Sequence, residues 1–303
     1  MKRYILFIAS EKGYVALNHL INIKSKHIGC VVTFEEINVD YDWSVDIQKV
    51  CEEESIPCYL WKNVKNNLVH LLDIHSITNA VAISWRYMIP LELNNYLDDG
   101  LIVFHDSLLP KYRGFAPTPT AVICGDSLIG VSAIFATDSV DEGNIILQKS
   151  IKIHEDMYIK EIIHKQSRLY AVMLEKIIIL SVQGNLKAEP QHHDKATYSI
   201  WRNVEDCHID WSKSSTYLHR FIRAVSSPYP GAYTYMDNEK IIITQAQKLA
   251  YDYNFAIRDN GKIWSIDNGN PIVICGSGLL KIEKAIYQTG EIVTFNKVRC
   301  QLK

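Results

Sequence analysis

The chain has 303 residues, 48% of them hydrophobic and 22% charged, an ordinary globular composition with length enough for two domains. A formal charge of −2 excludes a global pull toward nucleic acid or an anionic membrane, leaving only a local basic patch open. The seven cysteines are scattered without a C-x-x-C pair, which disfavours zinc ribbons and dithiol chemistry and fits thiols packed as small hydrophobes in a reducing cytoplasm.

The amino terminus opens like an export signal, but its apolar run over residues 4–9 stops at Glu11 and Lys12, too short for export or membrane spanning. The same run, YILFIA, has the pattern of a strand buried on both faces. Helical spacing follows over 15–23, then a strand over 27–34, a helix over 47–54, a strand over 57–61 and a helix over 67–75. Apolar strands are expected again at 80–85 and 101–105. Strands alternating with helices predict an α/β, doubly wound, mostly parallel Rossmann-like sheet, whose ligands sit beyond the carboxyl ends of the strands. Trp85 and Arg86 fall at one such end and His105 at another. No G-x-G-x-x-G follows the first strand, so a standard dinucleotide site has no support.

Residues 155–183 carry a long apolar periodicity, including Ile159, Ile163, Met173 and Ile177, that predicts a core-packing helix. Residues 187–199 read as a polar loop. Their adjacent pair His192 and His193 suits a solvated loop better than a metal site, because neighbours rarely ligate one ion together. Then come a short helix over 216–225, the turn SSPYPGAY, and short alternating segments at 232–236, 240–244, 261–266, 272–275 and 279–285. These predict a small β-rich domain, an open OB-like barrel or a sandwich. The expected domains are therefore 1–205 and 206–303.

The chemistry concentrates in FHDSLLPKYRG, residues 104–114. His105 is the only ordinary side chain there that titrates near neutrality when unperturbed. Downstream, in SVDEGNII, Asp141 precedes a glycine and an apolar strand-like run. A carboxylate from a separate loop can orient an imidazole and favour its protonated form. Pattern alone allows equally that His105 caps a strand and Asp141 starts a turn. Lys111 and Arg113 invite a phosphate-binding reading, set against the commoner solvated role of loop cations.

The stretch FHDSLLPKYRGFAP, followed by AVICGDSLIGVSAIFATDSVDEGNIILQ, closely resembles the signature region of the N10-formyltetrahydrofolate-dependent formyltransferases. The family pattern N-x-H-x-S-L-L-P-x-Y-R-G, then D-x-G-D-I, is matched at His105, Ser107, Leu108, Leu109, Pro110, Tyr112, Arg113, Gly114, Asp141, Gly143 and Ile145. AISWRYMIP, residues 82–90, resembles the family's folate-holding loop, and IDWSKSSTYLHRFIRAVSSPYPGAYT resembles the start of its second domain.

The resemblance implies an enzyme that moves a formyl group from N10-formyltetrahydrofolate to an amine without a metal. It implies His105 as the proton-transfer group and Asp141 as its partner. Around the folate it places Trp85, Arg86, Tyr87, Met88, Ile89, Leu109, Pro110, Asp138 and Val140. Around the acceptor it places Ser107, Lys111, Tyr112, Arg113 and Gly114.

One position departs. Where the family has a catalytic asparagine, two residues before the histidine, this chain has Val103, which offers no donor to a developing oxyanion. Losing such a donor typically costs about 3–4 kcal/mol. Either another group fills the role, or activity is weak, or the protein binds folate without turnover.

The family's acceptors include initiator methionyl-tRNA, nucleotide-linked amino sugars and a small ribonucleotide amine. A second domain argues against the last. Residues 34–48, FEEINVDYDWSVDIQ, hold several acids and no lysine or arginine, which would repel tRNA phosphates. The expected acceptor is a nucleotide-linked amino sugar used in surface glycans, with methionyl-tRNA as the alternative. A barrel edge could also support a homodimer.

Overall fold

The apolar run at the amino terminus forms β1 (Tyr4–Ile8), with all five residues buried. It lies inside a seven-stranded sheet whose two faces it feeds alternately, as the two-residue period of a strand requires. Tyr4, Leu6 and Ile8 join one core cluster, while Ile5 and Phe7 join the other. The computed structural model describes residues 1–37 and 39–303.

In chain order, β1 is followed by α1 (Ser10–Asn22), β2 (Ile28–Thr33), α2 (Ser44–Glu53), β3 (Cys58–Leu60), α3 (Trp61–Val64), α4 (Leu68–Ile74) and β4 (Asn79–Ile83). Then come β5 (Leu101–His105), β6 (Arg113–Gly114), α5 (Pro117–Cys124), β7 (Leu128–Phe135), β8 (Ile145–Lys152), α6 (Ile159–Val182) and β9 (Tyr198–Ser199). The sheet order is β3-β2-β1-β4-β5-β7-β8. The first five of these strands pair in parallel, and β7 and β8 add antiparallel strands at one side. The architecture is thus mixed α/β with a mostly parallel central sheet.

Several elements are not foreshadowed by periodicity, α5 and β9 among them. Helix α5 reads PTPTAVIC, and its two prolines suggest a break. Both sit in the first turn, where no intrahelical N–H is needed and the fixed φ suits a helix. The segment expected to be a loop at 187–199 is largely that, but Tyr198–Ser199 pairs in parallel with Arg113–Gly114.

Downstream, α7 (Ser215–Val225) is capped by Ser214, whose hydroxyl accepts from the Tyr217 N–H at 3.1 Å. Five strands follow: β10 (Ala232–Met236), β11 (Glu239–Lys248), β12 (Ile263–Asp267), β13 (Asn270–Ile274) and β14 (Leu279–Tyr287). They form an antiparallel sheet in the order β10-β11-β14-β13-β12. Its tight hairpins turn at Asp237-Asn238 and Asn268-Gly269, all four residues with positive φ, the turn geometry that matches strand twist.

The chain divides into two compact units. One comprises Met1–Pro117, Leu128–Ile153 and Glu161–Ile200, and the other Thr118–Ser127, His154–Lys160 and Trp201–Lys303. Among the described residues, no helix is long and apolar enough to cross a membrane.

Candidate active site

A cavity of about 380 Å³ opens at the carboxyl ends of β4 and β5, an ordinary size for a small-molecule site. Its walls are the 84–89 loop after β4, the end of β5, residues 114–117, the turn at 136–141 and Tyr170 of α6. This is where an open parallel sheet offers a crevice, because the loops at that end diverge to either face.

His105, the last residue of β5, is buried, at 7% exposure. Its Nε2–H donates to the Tyr112 carbonyl at 2.7 Å, and its Nδ1 lies 3.4 Å from Asp141 Oδ2. Tyr112 can present that carbonyl because its backbone takes φ 59°. Asp141, at φ 57°, is positioned from the opposite side, where Oδ2 accepts the Gly114 N–H at 2.8 Å. With Nε2–H occupied, a neutral ring turns a lone pair toward Asp141, whereas a protonated ring donates there in a charge-assisted bond. A proton arriving at Nδ1 therefore meets a carboxylate already in place.

The next residue enters a different network. Asp106 is bonded to the Lys12 ammonium from α1 and to the Tyr170 hydroxyl from α6. Burial by itself would raise its carboxyl, but Lys12 and then the Tyr170 hydroxyl outweigh it and hold the group below the ordinary carboxylate value. Burial, followed by the Asp106 charge, drives the Tyr170 phenol far up.

Of the residues singled out from sequence, Trp85, Arg86, Tyr87, Met88, Ile89, His105, Gly114, Asp138, Val140 and Asp141 all line this one cavity, as does Val103. Tyr87 and Met88 are exposed, at 43% and 77%. Trp85 instead packs edge-on against Phe7, Phe34 and Trp61.

Ser107, Leu109, Pro110, Lys111, Tyr112 and Arg113 do not line it. Ser107 donates to the Lys111 carbonyl, and its own carbonyl accepts from Ser132 Oγ at 2.6 Å. The Leu109 N–H donates to the same Ser132 hydroxyl at 3.1 Å, while Gln148 Nε2 holds the Leu109 carbonyl at 2.9 Å. The turn is thus pinned from β7 and β8, which buries Ser107 and Leu109 away from the cavity. Lys111 is exposed, its ammonium over the Tyr112 ring. Arg113 is 1% exposed, its guanidinium taken up by Gln191 and Glu142, which leaves a phosphate-binding role without support.

The acidic segment 34–48 reaches the site through the Glu36–Arg86 ion pair at 3.5 Å and through Phe34, whose ring packs against Trp85 and Tyr87 and lies under the Arg86 guanidinium. Burial pushes the Glu36 carboxyl up, and Arg86 only partly offsets it. Asn38, inside that segment, lies outside the described residues.

Lys12, Gln191 and Tyr170 escaped the sequence reading. Tyr170 sits at a core position of a helical periodicity, so its hydroxyl carries no local signal. Among the described residues no group of three or more His, Cys, Asp or Glu could hold a metal ion, and His193 instead bonds the Arg113 guanidinium at 3.1 Å.

A family model described as formyl transferase matches residues 5–174, and one for the formyl transferase C-terminal domain matches residues 203–300. The bifunctional polymyxin resistance protein ArnA of Wigglesworthia glossinidia brevipalpis is 28% identical over 94% of this chain, which spans only 43% of that relative's length. Methionyl-tRNA formyltransferase of Caldanaerobacter subterraneus subsp. tengcongensis is 30% identical over 73% of this chain and 71% of its own. The solved N-formyltransferase of Helicobacter canadensis, in complex with folinic acid and dTDP-3-aminofucose, has the same fold at TM-score 0.68. It is 14% identical and covers 93% of this chain and 99% of its own.

Proposed function

This chain belongs to the formyl transferase family, and from that premise we propose that it transfers a formyl group from N10-formyltetrahydrofolate to the amine of a nucleotide-linked amino sugar. The observation that carries the reading is the approach of His105 to Asp141 inside a cavity walled by the 84–89 loop.

The folate, when bound, supplies the formyl carbon and takes up a proton at the nitrogen that released it. The chain's residues do the rest. His105 accepts the proton the amine loses as its new C–N bond forms, Asp141 holds the resulting imidazolium, and the ring returns the proton to the leaving nitrogen. Such acid–base work contributes about 10²–10⁴-fold. Holding donor and acceptor amine side by side contributes a term of comparable or larger size. Trp85, Arg86, Tyr87, Met88, Ile89, Asp138 and Val140 contact the folate in this scheme, and Gly114 borders the acceptor. Leu109, Pro110, Ser107, Lys111, Tyr112 and Arg113 act from behind, by shaping the turn whose Tyr112 carbonyl fixes the imidazole. The catalytic domain is taken as 1–205 and the β-rich domain as 206–303, in a cytoplasmic setting compatible with seven free cysteines.

A second reading, formylation of initiator methionyl-tRNA, draws on the 30% identity to the Caldanaerobacter enzyme. Against it stands the segment holding Glu35, Glu36, Asp40, Asp42 and Asp46, acids that repel a phosphate backbone. A third, folate binding without turnover, draws on Val103. Purified protein with N10-formyltetrahydrofolate, offered dTDP-linked amino sugars and charged initiator tRNA in parallel, separates the three. Formylated sugar is expected. Formylated tRNA alone, or folate binding with no product from either acceptor, would overturn the assignment.

A further inference from the structure

We propose that Gln191 and Arg113, neither of which lines the cavity, are positioning residues that hold Asp141 against His105. The proposal rests on the formyl-transfer reading for its kinetic part only.

Gln191 is 5% exposed and uses both ends of its amide. Its Oε1 accepts from Arg113 Nε at 3.2 Å and from a terminal guanidinium nitrogen at 2.8 Å. Its Nε2 donates to the Asp141 carbonyl at 2.7 Å and to the Gly143 carbonyl at 2.8 Å. The amide's two acceptor and two donor positions are therefore all occupied. The other terminal nitrogen of Arg113 donates to Glu142 at 2.9 Å, so the guanidinium and the amide together grip three consecutive residues, 141–143.

The turn so gripped lies in the β7–β8 connection, which the Phe135 N–H closes on the Asn144 carbonyl at 3.1 Å. Asp141 is left-handed, a conformation that costs a non-glycine residue unless its surroundings impose it. Gly143 passes so close to the strand before it that a Cβ would lie 1.7 Å from the Phe135 carbonyl oxygen, so no side chain can replace the clamp there. The two-residue strand that carries Arg113 also carries Gly114, whose N–H binds the Asp141 carboxylate. Arg113 is itself fixed by its backbone N–H on the Thr197 carbonyl at 2.9 Å. The Asp141 main chain is thus located by Gln191 and its side chain by Gly114, both referred to the same short ladder. A group must be held to within fractions of an ångström for proton transfer, and misplacement by about 1 Å costs on the order of 10²-fold.

Gln191→Glu tests this directly. It keeps an oxygen facing Arg113 and the side-chain volume, but turns a second oxygen toward two carbonyl oxygens in place of two donors. We expect kcat to fall on the order of 10²-fold with KM for both substrates within about twofold. The Gly114 amide resonance should move upfield as its bond to Asp141 lengthens. Gln191→Leu, which removes both ends without adding charge, gives the same pattern and stands in if the Glu variant does not fold. An unmoved Gly114 resonance with near-wild-type kcat in either folded variant overturns the proposal. Wild-type protein that formylates no acceptor overturns the functional reading instead, and the Gly114 resonance still decides the clamp.

Discussion

His105 and Asp106 are neighbours in the chain, yet they end in networks of opposite character. Asp106 is closed by its partners rather than by burial: its carboxylate is bonded to the Lys12 ammonium and the Tyr170 hydroxyl, although its side chain is 22% exposed and borders the same cavity as His105. Its carboxyl is held below the ordinary carboxylate value because Lys12 and the Tyr170 hydroxyl outweigh the effect of burial. His105 is open. It has one firm bond, to the Tyr112 carbonyl, and a longer 3.4 Å approach to Asp141 that becomes a full bond only when the ring gains a proton. Polar burial on its own is therefore a poor guide to chemistry. What separates the pair is whether a titratable atom is left with something to gain, and on that criterion Asp106 fits a structural role and His105 the proton-transfer role proposed for it.

Substitutions can break this contrast. The largest expected effect is on the open side: His105→Ala or Asp141→Ala lowers turnover by about 10²–10⁴-fold with an unchanged circular dichroism spectrum. Initial-rate measurements retaining full transfer in His105→Ala would end the contrast. On the closed side the effect shifts to stability. Asp106→Ala strands the Lys12 ammonium and costs about 3–5 kcal/mol in urea titrations, while Tyr170→Phe removes one bond to a charged group and costs about 1.5–3 kcal/mol.

The closed side also sets a pH signature. The Asp106 carboxyl is held below its unfolded value, near 3.9 for an ordinary aspartate, so its contribution is present in full above that value. It is lost as pH falls through the lower folded value. Asp106→Asn should flatten this acid limb of the stability curve, read as unfolding midpoints across a pH series. The smallest effect is expected at Val103→Asn, which restores the family's donor at a residue lining the cavity and should leave turnover at or above wild type. A clear loss would mean that another group already fills the oxyanion role and is displaced.

How much of this was legible beforehand differs from residue to residue. The apolar run at residues 4–9 predicts a buried strand and is β1 (Tyr4–Ile8), and the periodicity over 155–183 predicts the helix α6 (Ile159–Val182). Helix α5 is not legible in the sequence, because its prolines look like breakers until their place in the first turn is known. At the site, the motif placed His105, Asp141 and the 84–89 loop near a ligand. It did not separate residues that face the cavity from Ser107 and Arg113, which face inward.

What the sequence determined alone was whatever burial imprints locally: an alternation of two residues for strands, a period near 3.6 for helices, and a motif whose order along the chain needs no folding to be seen. Tertiary structure decided the partners. Lys12 meets Asp106 across 94 positions, Tyr170 meets it across 64, and Gln191 meets Arg113 across 78. A buried polar group must find its complement wherever the fold brings one within about 3 Å. That demand is met through space, so it leaves no periodic trace along the chain.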